Sequence, residues 1–143
     1  MKRIVIVATL GLVLSGCGQQ TAAQATSQWM SQSSYQSGHS RLVTDARNAA
    51  AGLARVSSTS AELHTLCGVL LVDALAANAS LPSPDAQATS LLAHGYQRLG
   101  DGAHQCYSAG STTAARAKAT ASLADGVGYL LSATIRLGVA SSP

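Results

Sequence analysis

The chain has 143 residues, no Phe, one Trp and a formal net charge of +3, and this length allows one domain at most. Ala, Leu, Ser and Gly abound while β-branched residues are few, which favours helices over strands. Only 10% of the residues are charged. The charges are scattered and form no basic stripe, so we expect no nucleic-acid partner.

The first residues have the pattern of an export leader. Met1-Lys2-Arg3 is basic, and residues 4–14 are apolar but too few for a bilayer span, which takes about 20 residues. The following Leu14-Ser15-Gly16-Cys17 resembles the bacterial lipobox, a family of signals in which the Cys thiol receives a diacylglycerol and the chain is cleaved just before it. The resemblance implies that residues 1–16 are a signal peptide, that Cys17 is the lipidation site, and that the protein is held on the extracytoplasmic face of the cell membrane. The alternative is an ordinary secretory leader with a chance Cys.

Residues 17–39 carry no Asp, Glu, Lys or Arg and are rich in Gln, Ser, Ala and Thr. This composition predicts a lipidated polar tether. Trp29, Met30 and Tyr35 interrupt it. We prefer a short helix that docks on the folded domain, and the alternative places these side chains at the lipid interface.

Residues 40–140 have the periodicity of four helices. Ser40 is the predicted cap of the first, and Thr59 and Glu62 form a capping box at the start of the second. Ser83, Pro84 and Asp85 start the third, Gly110 ends it, and Ser111 or Thr112 caps the fourth. The fold class predicted is all-α: an up-down four-helix bundle with a possible short extra N-terminal helix.

Each helix has an apolar stripe at helical spacing. Apolar residues almost surround the second helix and predict that it is buried at the centre of the bundle. On the last helix, Leu131 and Ile135 are expected to flank the inner face, with Lys118, Ser122, Asp125, Tyr129, Ser132 and Arg136 on the opposite face. The four inner stripes are Leu42, Ala46, Ala49, Leu53 and Val56; Leu63, Cys67, Leu70, Ala74 and Ala77; Ala88, Leu92, Gly95, Leu99, Gly102 and Cys106; and Leu123, Val127, Leu130, Thr134 and Leu137.

Lipidation of Cys17 leaves two cysteines, Cys67 and Cys106, and disulfides persist outside the cytoplasm. Both lie on inner stripes, so we predict one disulfide between them; the alternative is two buried thiols. Counted from the Pro-rich turn, their heights along the helices differ by about 15 Å at 1.5 Å per residue. The third helix must therefore overhang the second, or a helix must bend.

The order of several features resembles a loose group of small exported actinobacterial proteins of unknown function. The resemblance implies a helical exported domain and no particular chemistry. It rests on Trp29, Leu42-x-x-Asp45, Cys67, Pro84-Asp85, Tyr96 and Cys106.

No motif in the sequence specifies a reaction. His94, Gln97, Asp101 and His104 share one face of the third helix, but too few metal ligands converge there for a zinc site. Asp73 is read as a solvated or Arg-paired residue; the alternative is a ligand-facing carboxylate. We therefore expect no catalytic residue, metal or cofactor, and a binding or structural lipoprotein with an envelope protein as its partner. The alternative function is a carrier of a small apolar or lipid ligand in the bundle core.

Overall fold

The computed structural model describes residues 20–32, 35–109 and 112–142. These ranges contain five helices and no strand, which confirms the all-helical class. The leader, Cys17 and the predicted helix stop Gly110 lie outside the described residues. The helices are α1 (Ala22–Gln32), α2 (Tyr35–Ala54), α3 (Ser60–Asn78), α4 (Ala86–Ser108) and α5 (Thr113–Ala140).

The N-terminal part is more ordered than its polar composition predicts. Residues 22–32 form α1, which packs against α2 and α5, with Trp29 and Met30 half-buried against the core. The rings of Trp29 and Tyr35 lie 5.3 Å apart. The docked helix is thus confirmed. The predicted start of the next helix at Ser40 is wrong, because Tyr35 is buried one heptad before Leu42 and α2 begins there.

The end of α2 also differs from the prediction. Val56 was expected in the inner stripe but is 97% exposed, because α2 ends at Ala54 and the chain turns there. The Arg116 guanidinium of α5 donates to the carbonyl oxygens of Leu53, Arg55 and Ser58 at 3.4, 2.8 and 3.2 Å. The bond to Leu53 satisfies a carbonyl in the last turn of α2, and the bonds to Arg55 and Ser58 hold the turn that follows it against α5.

The closest helix packing is between α4 and α5. Three glycines, Gly95 and Gly102 of α4 and Gly126 of α5, face leucines of the other helix. A Cβ added at any of these glycines would lie 2.7 Å from a leucine side chain. Gly95 and Gly102, which fall in the inner stripe predicted for this helix, thus allow the two helices to approach closely. The facing residues rise on one helix as they fall on the other, so the two helices run antiparallel. The pairs are Gly95 with Leu130, Gly102 with Leu123 and Gly126 with Leu99.

This close approach rotates the inner face of α5 from the predicted one. Gly126 and Ala133 are buried. Of the predicted inner residues, Val127 is half-buried and Thr134 is exposed. A seam this narrow admits small side chains and excludes the adjacent larger ones. Leu131 and Ile135, expected beside the core, are 61% and 63% exposed.

Side chains expected on the opposite face of α5 contact α4 instead. Ser122 donates to the Gln105 side chain at 3.2 Å, the Tyr129 ring lies 5.6 Å from that of His94, and Arg136 pairs with Asp85 at 2.6 Å. The predicted outer face of α5 is therefore wrong for these three positions, since the rotation of the seam brings them beside α4.

Ser83, the first residue of the predicted start of this helix, is not the N-cap of α4. Asp85 is the N-cap, and its carboxylate accepts from the Ala88 N–H at 2.7 Å. The Ser83 N–H donates to the Thr89 hydroxyl at 2.9 Å, six residues further on, so the connecting segment runs alongside the first turn of α4. The capping box of Thr59 and Glu62 is confirmed.

A disulfide joins Cys67 of α3 and Cys106 of α4, as predicted. Their Cα atoms are 5.9 Å apart, within the usual range of about 4.4–6.8 Å. At the other end of α3, Ala77 and Ser80 line the same cavity as Tyr96. Residues 86–95 of α4 therefore extend beyond the end of α3, and this overhang accommodates the difference in height.

Candidate functional site

A concave surface lies between α3 and α4, and we call it the α3–α4 groove. It has a volume of about 530 Å³. Small residues of both helices form its floor, two leucines of α3 form one wall, and polar side chains stand along its edge. The lining residues are Leu71, Ala74, Leu75, Asn78, Ala93, Tyr96, Gln97, Gly100, Asp101 and His104.

Next to the groove, the outward face of α3 is apolar and exposed. Val69, Val72 and Leu75 are 48%, 64% and 64% exposed. The prediction of a buried central helix is wrong, because the inner stripe of α3 packs on α2 and α4 only and α5 does not reach it. Among the described helices, the most extensive contact is instead that between α4 and α5.

By length and composition α3 could cross a membrane, with a mean hydropathy of 1.4 over its best window, of which 22% is buried. Apolar helices in the cores of water-soluble proteins meet the same criteria. Here α3 is joined to α4 by the disulfide and capped at its start by Thr59 and Glu62. We therefore describe its apolar outward face as a surface of the folded unit.

The structure separates the four polar residues that share a face of α4 in the sequence. Gln97, Asp101 and His104 stand at the edge of the groove, whereas His94 packs on Tyr129 of α5. Within the described ranges, no three His, Cys, Asp or Glu side chains come close enough together to hold a metal ion. The edge thus offers neutral and charged hydrogen-bonding groups around an apolar floor.

A second, smaller cavity of about 210 Å³ lies on the other side of α3, between α2 and α3, and we call it the Arg41 cavity. The Arg41 guanidinium makes a bidentate pair with the Asp73 carboxylate, with Nε to Oδ2 at 2.8 Å. Asp73 is therefore Arg-paired, as the preferred interpretation of the sequence predicts. Tyr96 lines both this cavity and the groove.

The two carboxylates near Arg41 have opposite electrostatic surroundings. Hydrogen bonds from Arg41 hold the pKa of Asp73 below its usual value. Burial, together with the neighbouring Asp73, raises the pKa of Asp45. Arg41 thus keeps Asp73 ionised and engaged, and the cluster ties α2 to α3.

His39 lies deeper in the same cavity. Its Nε2 is 3.2 Å from the Thr134 hydroxyl, which itself donates to the Leu130 carbonyl at 3.0 Å. The hydroxyl proton is thus in use, so Nε2–H of His39 donates to Thr134 and Nδ1 is left as an acceptor. That Nδ1 is buried and has no hydrogen-bond partner among the described residues. Burial lowers the pKa of His39 and favours this neutral form.

The tyrosines beside this cavity are buried and neutral. Burial raises the pKa of Tyr96 and that of Tyr35, whose hydroxyl lies 3.4 Å from Thr134. Sequence reasoning missed the grouping of Tyr35, His39 and Arg41 because it assigned residues 17–39 to a tether. The signal that identifies it is the heptad from Tyr35 to Leu42 to Ala49, which continues the inner stripe of α2 backwards.

The α3–α4 groove combines an apolar floor with a polar edge. An apolar floor with a polar edge is typical of surfaces that receive a helix or an extended segment of another molecule. Comparisons with protein-family models, curated proteins and solved structures give no match for this chain. Its function is therefore argued from the sequence and these surfaces alone.

Proposed function

We propose that this protein is a lipid-anchored lipoprotein of the cell envelope whose folded part binds a partner protein and catalyses no reaction. The lipobox-like Leu14-Ser15-Gly16-Cys17 after a basic and apolar leader supports the anchor. Cys17 is the lipidated residue in this proposal.

We also propose that α2 to α5 form an up-down four-helix bundle. Each helix lies beside the next along the chain, and α5 returns to α2. Contacts between Arg41 and Asp73, Cys67 and Cys106, and Gly95 and Leu130 join successive helices. Short connections between such neighbours favour antiparallel packing.

The observation that carries the binding function is the exposed row of Val69, Val72 and Leu75 beside the α3–α4 groove. Contiguous exposed apolar surface with a polar border marks interaction sites in soluble domains. The charged side chains of α3, Glu62 and Asp73, lie toward α2 or at the helix start, since Asp73 pairs with Arg41 and Glu62 caps the helix. The outward face is thus free to meet an apolar surface of a partner.

The carrier alternative is supported by the size and apolar floor of the groove rather than by the bundle core. In the α4–α5 seam, leucine side chains fill the space beside each buried glycine. The Arg41 cavity has an ion pair in its wall, which disfavours an acyl chain. Of these three spaces, the α3–α4 groove suits a lipid ligand best.

The binding proposal is tested by photo-crosslinking of the full chain in its native envelope. A benzophenone amino acid is placed at position 72 or 75, with exposed position 51 of α2 as the matched control. We expect a discrete protein adduct from positions 72 and 75 that Val69→Asp abolishes and that position 51 does not give. A lipid adduct identified by mass spectrometry establishes the carrier instead, and identical patterns at all three positions overturn both.

The anchor is tested by detergent partition of the full chain in a host that processes lipoproteins. We expect the parent protein in the detergent phase and Cys17→Ser in the aqueous phase or blocked in maturation. If Cys17→Ser fractionates with membranes as the parent does, the anchor lies elsewhere.

A further inference from the structure

The anchor, as proposed above, is close to the folded domain. Only residues 18–21 separate Cys17 from Ala22, the first residue of α1. The five Cα–Cα steps between them span at most about 17 Å at about 3.5 Å each. A bundle of helices, each about 10–12 Å across, is wider than that. The predicted long tether is thus replaced by a link that keeps the bundle within its own width of the lipid.

The position of α1 decides which side of the bundle is near the lipid. Among the described helices, α1 contacts α2 and α5 and touches neither α3 nor α4. Trp29 packs on Tyr35, and the Tyr35 hydroxyl lies 3.4 Å from Thr134 of α5. The Trp29 end of α1 therefore lies near the C-terminal half of α5, and Ala22, where the link to Cys17 begins, is seven residues, or about 10 Å of helix, before Trp29.

That half of α5 has a row of large apolar side chains directed away from the bundle. Leu131, Ile135 and Val139 follow one another at intervals of four and are 61%, 63% and 63% exposed. Thr134 faces α2, where it meets His39, and Arg136 faces α4, where it pairs with Asp85. The row lies between these two directions on the outer side, and we call it the α5 row.

Charge is distributed unevenly along the same helix. From residue 128 to residue 142, the described part of the chain has one charged side chain, Arg136, and Asp85 pairs with it. The N-terminal half of α5 has two exposed charged side chains, Lys118 and Asp125. A surface that enters the interfacial layer of a bilayer needs apolar side chains and no unpaired charge at depth, and only the C-terminal half meets both conditions.

We propose that the α5 row lies in the interfacial layer of the membrane that holds the lipidated Cys17. The proposal rests on the lipid anchor of the proposed function. It places a lipid surface on Leu131, Ile135 and Val139. Because α3 contacts neither α1 nor α5, this orientation turns the α3–α4 groove away from the bilayer, where a partner protein can reach it.

The test uses the full lipidated chain in vesicles of phosphatidylcholine and phosphatidylglycerol. With Cys17 lipidated and Cys67 bridged to Cys106, a cysteine introduced by Ile135→Cys provides a single thiol for an environment-sensitive fluorophore. Val72→Cys on α3 is the matched control, because Val72 and Ile135 are 64% and 63% exposed. We expect blue-shifted emission at position 135 and several-fold stronger quenching by nitroxide-labelled lipids than at position 72.

A second pair of variants separates lipid contact from a general effect of labelling. In a chain labelled through Leu131→Cys, the added substitutions Ile135→Asp and Val139→Asp should return the emission to its value in water while the protein still floats with vesicles. The added pair Val72→Asp and Leu75→Asp should leave that emission unchanged. All four positions are exposed, so circular dichroism should be the same in each variant.

The outcomes separate this proposal from the anchor on which it rests. Water-like emission at position 135 in protein that floats with the vesicles overturns the orientation and leaves the anchor standing. Stronger quenching at position 72 than at 135 also overturns the orientation. Failure of the parent chain to float refutes the anchor, and the orientation with it.

Discussion

The α4–α5 seam and α3 use apolar residues in different ways. In the seam, leucines of one helix fill the space above glycines of the other, and Leu99, Leu123 and Leu130 are almost fully buried. In α3 one narrow stripe is buried, and residues on its outward face are half to two-thirds exposed. Burial thus follows the contacts that a helix makes with its neighbours. Apolar composition alone would wrongly place α3 at the centre of the fold.

The same comparison shows how α3 is held. It packs on two neighbours and not on α5, and the disulfide and the Arg41–Asp73 pair add fixed links to α4 and α2. Helices α4 and α5 are also joined by side-chain bonds, such as that of Arg136 to Asp85, but close packing over glycine adds many short contacts along their length. Helix α3 is thus tied to the fold at discrete points, while α4 and α5 interlock along their length.

The largest expected effect is loss of the bridge that holds α3. The disulfide closes a loop with a sequence separation of 39, and the chain-entropy model gives about 4 kcal/mol for its contribution to the free energy of unfolding. We expect Cys67→Ala/Cys106→Ala to lose about that much in urea unfolding monitored by circular dichroism. An identical midpoint for the parent with and without reductant would show that the bridge does not form.

Two neighbouring positions of α3 test its inner against its outward face. Leu70 is fully buried, and Leu70→Ala should cost about 2–5 kcal/mol of unfolding free energy through the cavity it leaves. Val72 is 64% exposed, so Val72→Ala should change stability by no more than about 0.5 kcal/mol. Comparable losses at both positions in thermal unfolding would mean that another part of the protein covers the outward face.

Two glycines of α5 test the seam. A Cβ at Gly126 would lie 2.7 Å from the Leu99 side chain and 3.0 Å from its backbone nitrogen, so Gly126→Ala should destabilise the fold by about 1–3 kcal/mol. Gly128 has nothing within 4 Å, and Gly128→Ala should stabilise it by about 0.5–1 kcal/mol through helix propensity. The two variants differ by one methyl group each, and equal shifts in the denaturation midpoint would contradict the seam as described.

The smallest expected effect concerns the cap of α4. Asp85→Ala removes the bond to the Ala88 N–H and the pair with Arg136, at a cost of about 1 kcal/mol. Asp85→Asn keeps an acceptor for the cap but loses the charge. The difference between the parent and Asp85→Asn therefore reports the ion pair, and the difference between Asp85→Asn and Asp85→Ala reports the cap.

This contribution of Asp85 should depend on pH in one direction. Hydrogen bonds from Arg136 and Ala88 lower the pKa of Asp85 in the folded state, so its ionised form stabilises the fold above the pKa of the unfolded chain, about 3.9. The contribution is then lost as the pH falls through the folded pKa. Parent and Asp85→Ala should therefore converge in stability at low pH, and a gap that widens on acidification would contradict the assignment.

The helical class, the pairing of Cys67 with Cys106 and the place of Gly95 and Gly102 in an inner stripe all follow from the amino-acid sequence. These follow from local rules: helix propensity, a capping box, and small or apolar side chains repeated at three and four residues. The inner stripe of α2 from Leu42 to Leu53 was predictable for the same reason, because a helix buries side chains at that spacing whichever neighbour it meets.

The faces of α3 and α5 that meet solvent depend on the tertiary packing. Helix α3 has apolar side chains around most of its circumference, and α5 has small or apolar side chains on both sides of its predicted stripe, so periodicity does not single out one direction for either helix. The choice depends on which neighbours reach each helix and how closely. In the tight α4–α5 seam, Gly126 and Ala133 are buried instead of Val127 and Thr134. Because α5 does not contact α3, Val72 and Leu75 stay exposed. The docking of α1 through Trp29 likewise required Tyr35, His39 and Thr134 to be brought together from distant parts of the chain.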